Sequence, residues 1–401
     1  MIKEIDKPKK LELKNNILIT AFIMFGMYAS FGMSWMGVVP LFQDIETALK
    51  ISHSEASWLI SVISLAKSIF PVLAGILATK IGLTKSLRIS SLLILTGIII
   101  PWLPSYPAWL LARFLFGVGG AMWVTLMGAV TMYVFDDKQR PIVNAINGVA
   151  VNVGVILALW YTLPLSKALG WQNAFSLYSG ISGIFALLLW LFINIPFNKT
   201  VSNVESPRYI DSLNLPLTWI ISFAFTGPLA LYLVFNTWLA IYYQEVFHIP
   251  KLQTMQWLSW MNLWGIPTAI ATGFILRAVK KCKPFILAAS IILPVASLMA
   301  VNINDPSILT IVLALSGVGM FLGVAPLVTL LQSQPNMNPS MIGMIIGTMF
   351  SITYILSSIT PSIVGYCYNS HISLTVVLSM CCLLAFSPAI ALVLKEAGES
   401  K

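Results

Sequence analysis

Two cations stand inside long apolar runs: Lys67 in Ile60-Ser-Val-Ile-Ser-Leu-Ala-Lys67-Ser-Ile-Phe70, and Arg113 in Leu110-Leu-Ala-Arg113-Phe-Leu-Phe116. A charge held in hydrocarbon costs several kcal/mol unless it meets a partner or a polar cavity. No Asp or Glu occupies the interior of any apolar run to neutralise these two. Uncompensated cations of this kind suit an anionic solute, with Lys67 and Arg113 as its counter-charges. Each also has a structural alternative. Arg113 could serve helix packing or a backbone hydrogen-bond network, and Lys67 could snorkel along its stem to an interface.

Polar and aromatic residues could complete such a cavity. Asn144, Asn147 and Asn152 fall within an arc of about 140° on one helix. Asn236, Trp238 and Tyr354 lie in later apolar runs. The expected substrate-binding set is therefore Lys67, Arg113, Asn144, Asn147, Asn236, Trp238 and Tyr354. A carboxylate or histidine usually carries an intramembrane proton, yet His53, His248 and His371 all fall in expected outer loops. That argues against a drug–proton antiporter. It leaves facilitated diffusion, anion exchange, or symport with a proton as coupling ion that travels with the substrate or through a lysine. We find no nucleotide motif, metal-ligand cluster or hydrolytic triad, so neither an enzyme nor a cofactor is expected. The four cysteines, Cys282, Cys367, Cys381 and Cys382, imply no disulfide framework.

The elements that must position these residues are membrane helices. Of 401 residues 58% are apolar and only 9% charged, against about a quarter charged in a soluble domain. Crossing the hydrocarbon takes roughly 20 apolar residues. Runs of that kind fall at 17–43, 55–78, 86–104, 107–134, 141–164, 173–196, 216–243, 252–276, 284–302, 307–331, 341–365 and 372–394. The expected fold is all-α, twelve transmembrane helices in two six-helix bundles. Its parts are an N-terminal tail at 1–16, bundles at 17–196 and 216–394, a linker at 197–215 and a C-terminal tail at 395–401. Of 23 Lys and Arg, only Lys50, Lys167 and Lys251 fall between spans on one side, while almost all the rest fall on the other. That bias places both termini in the cytoplasm, in a multi-pass protein of the cell membrane, expected to be the bacterial inner membrane. No cleaved signal peptide is read at the charged N-terminus. The net charge of +9 follows from this topology rather than from nucleic-acid binding.

The halves echo one another. Leu115-Phe-Gly117-Val-Gly119 answers Leu315-Ser-Gly317-Val-Gly319, Pro164 answers Pro361, and Gly75 answers Gly273. Matches spaced by about 200 residues indicate a duplicated six-helix unit with a site between the halves at mid-membrane.

At the residue level the chain resembles the major facilitator superfamily. Gly75-Ile-Leu-Ala-Thr-Lys80-Ile-Gly82-Leu-Thr-Lys85 is similar to that family's loop between helices two and three, with Thr79 where an acidic residue is usual. Arg113-Phe-Leu-Phe-Gly117-Val-Gly119 resembles its helix-four motif, and Leu169-Gly170-Trp171 its entry to helix six. The resemblance implies a monomeric secondary transporter working by alternating access, with Gly75, Lys80, Gly82, Lys85, Gly117 and Gly148 in conformational gating. A finer similarity, to the cyanate-transporter-like branch, rests on Trp238 to Tyr243, Gly323 to Pro326 and Pro361 to Gly365. It implies small anions or weakly acidic heteroaromatic solutes. The alternatives are an exporter of neutral or cationic compounds and, further off, a membrane receptor on the same scaffold.

Overall fold

The computed structural model describes residues 17–136, 139–195, 212–279, 281–334 and 339–396, with the backbone alone at 79, 140–142, 144, 145, 277, 339, 340 and 343. The described residues are helical, without a strand. Twelve long helices follow in order: α1 Ile17–Met36, α2 His53–Ile81, α3 Leu83–Leu95, α4 Tyr106–Val134, α5 Arg140–Leu169, α6 Trp171–Phe192, α7 Pro216–Val234, α8 Lys251–Val279, α9 Lys283–Asn302, α10 Pro306–Leu322, α11 Pro339–Asn369 and α12 Leu374–Leu384. Short helices, among them Phe42–Leu49, Ala240–Glu245 and Val324–Gln332, extend several of them.

Eleven of these stretches are long and apolar enough to cross a membrane. The expected eighth span does not meet that measure. α8 has the length, 29 residues, but Gln253, Gln256, Asn262 and the Trp257, Trp260 and Trp264 indoles lower its apolarity. Asn262 is buried completely and Trp257 nearly so, whereas Gln253, Gln256 and Trp264 are exposed. The expected linker 197–215 lies outside the described residues up to 211, as do the N-terminal tail and all but the start of the C-terminal tail.

The duplicated pattern is physical. A Cβ on Gly117 would meet the α2 backbone at Ile63, and one on Gly317 the α8 backbone at Met261. Likewise Gly119 abuts Ile94 of α3, and Gly319 abuts Leu293 of α9. The contacted residues are displaced by the same roughly 200 positions as the glycines. Small residues at these points let helix axes approach closely, which drives packing where lipid leaves no hydrophobic effect between helices.

Two junctions need glycine. α2 passes to α3 through Gly82 alone, at φ 92 and ψ 155, and α5 passes to α6 through Gly170 alone, at φ 83 and ψ 150. Side-chain-bearing residues scarcely visit that region, and the two corners turn alike.

The halves meet along α2 with α11 and α5 with α8. At the end that carries Asp44, Glu46, Glu245 and Asp305, here the acidic end, this seam is shut. A Cβ on Gly365 would collide with Ser54; the Trp160 indole donates to Ser259 at 2.6 Å. At the opposite, basic end Gly75, Gly148 and Gly273 each face open space. The structure is closed at one end and parted at the other.

Candidate functional site

The α1 sequence places Tyr28, Phe31 and Trp35 at helical spacing on one face. Lys67, at the midpoint of the 29-residue α2, reaches into these rings. Its Nζ stands 3.6 Å from the Trp35 ring centroid, 5.1 Å from Phe31 and 6.0 Å from Tyr28. From the other half Tyr354 of α11 closes the box at 5.8 Å. Pro71, four residues on, withholds the N–H that would bind the Lys67 carbonyl, so this stretch of α2 is open-laddered at its centre.

Tyr28, Trp35, Lys67 and Tyr354 line a cavity of about 200 Å³ between the halves. Asn152 of α5, Tyr232 of α7 and Phe321 of α10 complete much of the wall. Gly148, one turn from Asn152 on the same face of α5, is exposed, which marks the side on which the cavity opens.

The electrostatics are one-sided. Lys67 is 3% exposed, with no hydrogen bond or ion pair to its Nζ among the described residues, and no Asp or Glu lines the cavity. Beside it the Trp35 Nε1–H is buried without a partner. Aromatic faces attract the ammonium but leave its N–H donors unused. The cavity thus offers two unspent donor groups on a wall of apolar, tyrosyl and amide side chains without a carboxylate.

Arg113 is elsewhere. It is fully buried and spends its guanidinium on main chain: Nε donates to Leu59 O, Nη1 to Ser34 O and Nη2 to Trp35 O, each at 2.9 Å. Ser34 and Trp35 are in the last turn of α1, whose carbonyls have no intrahelical partner, and within the membrane such groups must be satisfied by protein. Arg113 caps α1 and ties it to α2 with three of its five N–H donors, and it is not part of the cavity wall. The sequence reading of two free counter-charges reduces to one.

The other expected site residues scatter. Tyr354 joins Lys67 at the cavity. Asn236 is fully buried away from it and donates to Tyr232 O, inside a π-helical segment, Phe235–Leu239. Trp238 lies at the shut acidic end, where its indole donates to Pro361 O at 2.9 Å. Asn147 is buried behind the lining, its Nδ2 unpartnered, and the side chain of Asn144 lies outside the described residues. Of the gating set, Gly75 and Gly148 face open space, Gly82 is the α2–α3 corner, Gly117 packs tightly on α2, and Lys80 and Lys85 are exposed. His53, expected in a loop, is instead the first residue of α2 and lies in the seam. Sequence reasoning missed Tyr28 and Trp35. The signal was present in their spacing, opposite the small residues Gly26 and Ser30.

The sequence matches the family model of the Major Facilitator Superfamily over residues 24–361. The chain belongs to this superfamily. Among relatives, an uncharacterized transporter, YycB of Bacillus subtilis (strain 168), is 22% identical over 92% of this chain and 90% of its own length. The probable nitrate transporter NarT of Staphylococcus carnosus (strain TM300) is 28% identical over 39% of this chain and 40% of its own. A crystal structure of the nucleoside transporter NupG shares the fold at a TM-score of 0.75 and 14% identity, covering 95% of this chain and 98% of that one. This facilitator-family protein is accordingly a multi-pass membrane transporter rather than an enzyme.

Proposed function

We propose that the protein carries a small anionic solute across the cell membrane by alternating access, with Lys67 as counter-charge and Trp35 as a second donor. One observation carries this reading: a buried ammonium and a buried indole N–H, both unpartnered, face a cavity that holds no carboxylate. A buried donor left without a partner costs about 1–3 kcal/mol, and an anion relieves both at once. A cationic solute would instead meet Lys67 with nothing to offset it. The partial likeness to NarT, whose name refers to nitrate, is in keeping with an anion. In this reading Tyr28, Asn152 and Tyr354 orient the solute. The closed acidic end faces outward and the open cavity faces the cytoplasm, as the charge bias of the loops suggests, in a bacterial inner membrane.

The test is a thermal-shift screen of purified protein with small inorganic and organic anions, followed by uptake into proteoliposomes. Anions that stabilise the wild type should fail to stabilise Lys67→Ala. Trp35→Phe, which keeps the ring and removes the N–H, should weaken binding about tenfold, the worth of one such hydrogen bond. Binding unaffected by Lys67→Ala would overturn the proposal.

A further inference from the structure

His53 opens α2 at the shut acidic end, and its surroundings are not those of a loop histidine. Its Nδ1 pairs with the Glu46 carboxylate of the Phe42–Leu49 helix. Its Nε2 is buried without any hydrogen-bond partner. The ring lies edge-on to Trp238 across the seam, centroids 4.8 Å apart, with Phe42 at 5.6 Å and Tyr368 at 6.3 Å. Trp238 and Tyr368 belong to the second half of the molecule, so this imidazole is one of the contacts across which the halves close. A cavity of about 210 Å³, lined by His53, Glu46, Gln43, Gln244, Glu245 and Lys251 among others, lies against it.

We propose that His53 is a proton-binding site that governs closure of the acidic end. The proton enters from the water of the adjoining cavity and takes the free lone pair at Nε2, while Nδ1–H continues to donate to Glu46. Unprotonated, the pair carries a net negative charge that closure must bury. Protonated, it is neutral overall and easier to dehydrate. It also presents a cation to the Trp238 and Tyr368 rings of the opposite half. Proton binding therefore favours the closed form seen here, and proton loss favours parting.

The neighbouring charges are consistent with this. Asp44 and Glu46 lie on the same short helix, and Lys251 at the start of α8 interacts with both. Glu245 already accepts the Tyr368 hydroxyl at 2.8 Å. Glu55 is spent on the Ser52 capping box of α2, and the Tyr106 hydroxyl on the Glu55 carbonyl. None of these supplies the Nε2 partner. Histidine is the side chain whose charge ordinarily changes between pH 5 and 8.

The test needs no solute and does not involve Lys67. Spin labels on Thr47→Cys and Asn369→Cys, both exposed at the acidic end on opposite halves, report the gap by pulsed electron resonance. The chain is full length, in liposomes, with its four native cysteines changed to serine. The distribution should be short at about pH 5.5 and gain a longer component at about pH 8. The open-to-closed ratio should change by about tenfold between these two conditions. His53→Gln should abolish that pH response, whereas Lys67→Ala should retain it. If His53→Gln does not fold, Glu46→Gln serves instead: with the carboxylate gone the protonated form is the charged one, so the direction of the pH response should reverse. A wild-type distribution indifferent to pH, or a His53→Gln or Glu46→Gln protein that responds like the wild type, would overturn the inference.

Discussion

Lys67 and Arg113 share a charge and a depth of burial but differ in what surrounds them. Arg113 answers three carbonyls at 2.9 Å, so Arg113→Ala would strand three acceptors in a membrane interior at about 1–3 kcal/mol each. We expect a loss of several kcal/mol, read as poor yield and a sharply lowered melting temperature in detergent. Arg113→Lys, a single point of charge, should rescue little of it. Lys67→Met removes no hydrogen bond and relieves a desolvated charge, so its melting temperature should equal or exceed the wild type while anion binding disappears. Both cations were legible in the sequence as charges in apolar runs. Their division was not, because it depends on where α1 ends. The break at Met36 and the Ser34 and Trp35 carbonyls that it leaves for Arg113 are tertiary facts, and no spacing of residue types announces them.

At the scale of elements, sequence patterning located the spans to within a few residues, since charge, Pro and Gly punctuate apolar runs regardless of packing. It overstated the uniformity of those spans. α8 carries a wholly buried Asn262 beside exposed Gln253 and Gln256, and α7 passes through a π-helical turn at Phe235–Leu239 where α1 simply stops. Pro228 of α7 frees the Ala224 carbonyl, and Ser387 beyond α12 donates to it at 3.2 Å. The glycine echo was visible as a repeated pentapeptide, and its meaning as close helix contact came only with the partners Ile63 and Met261. The corner glycines yield a sharp prediction. Gly82→Ala and Gly170→Ala should each cost about 1–3 kcal/mol from forced backbone strain, measurable as a lower unfolding midpoint. Gly148→Ala, which meets open space, should be nearly neutral.

For the whole molecule, the asymmetry of the seam makes an accessibility prediction. A thiol reagent that cannot cross the bilayer should label Gly148→Cys from the basic side in the form described. Conditions that part the acidic end should protect it. Labelling from the acidic side under all conditions would contradict the arrangement.

The lone ammonium at mid-membrane carries one more consequence, in terms of voltage. An empty carrier on this plan holds a positive charge within the transmembrane field, whereas a carrier loaded with a monovalent anion holds none. A potential negative on the cavity's open side then stabilises the empty, cavity-open form by up to about 2.3 kcal/mol per 100 mV, and leaves the loaded form indifferent. The field would act on the return of the unloaded protein rather than on the passage of its cargo.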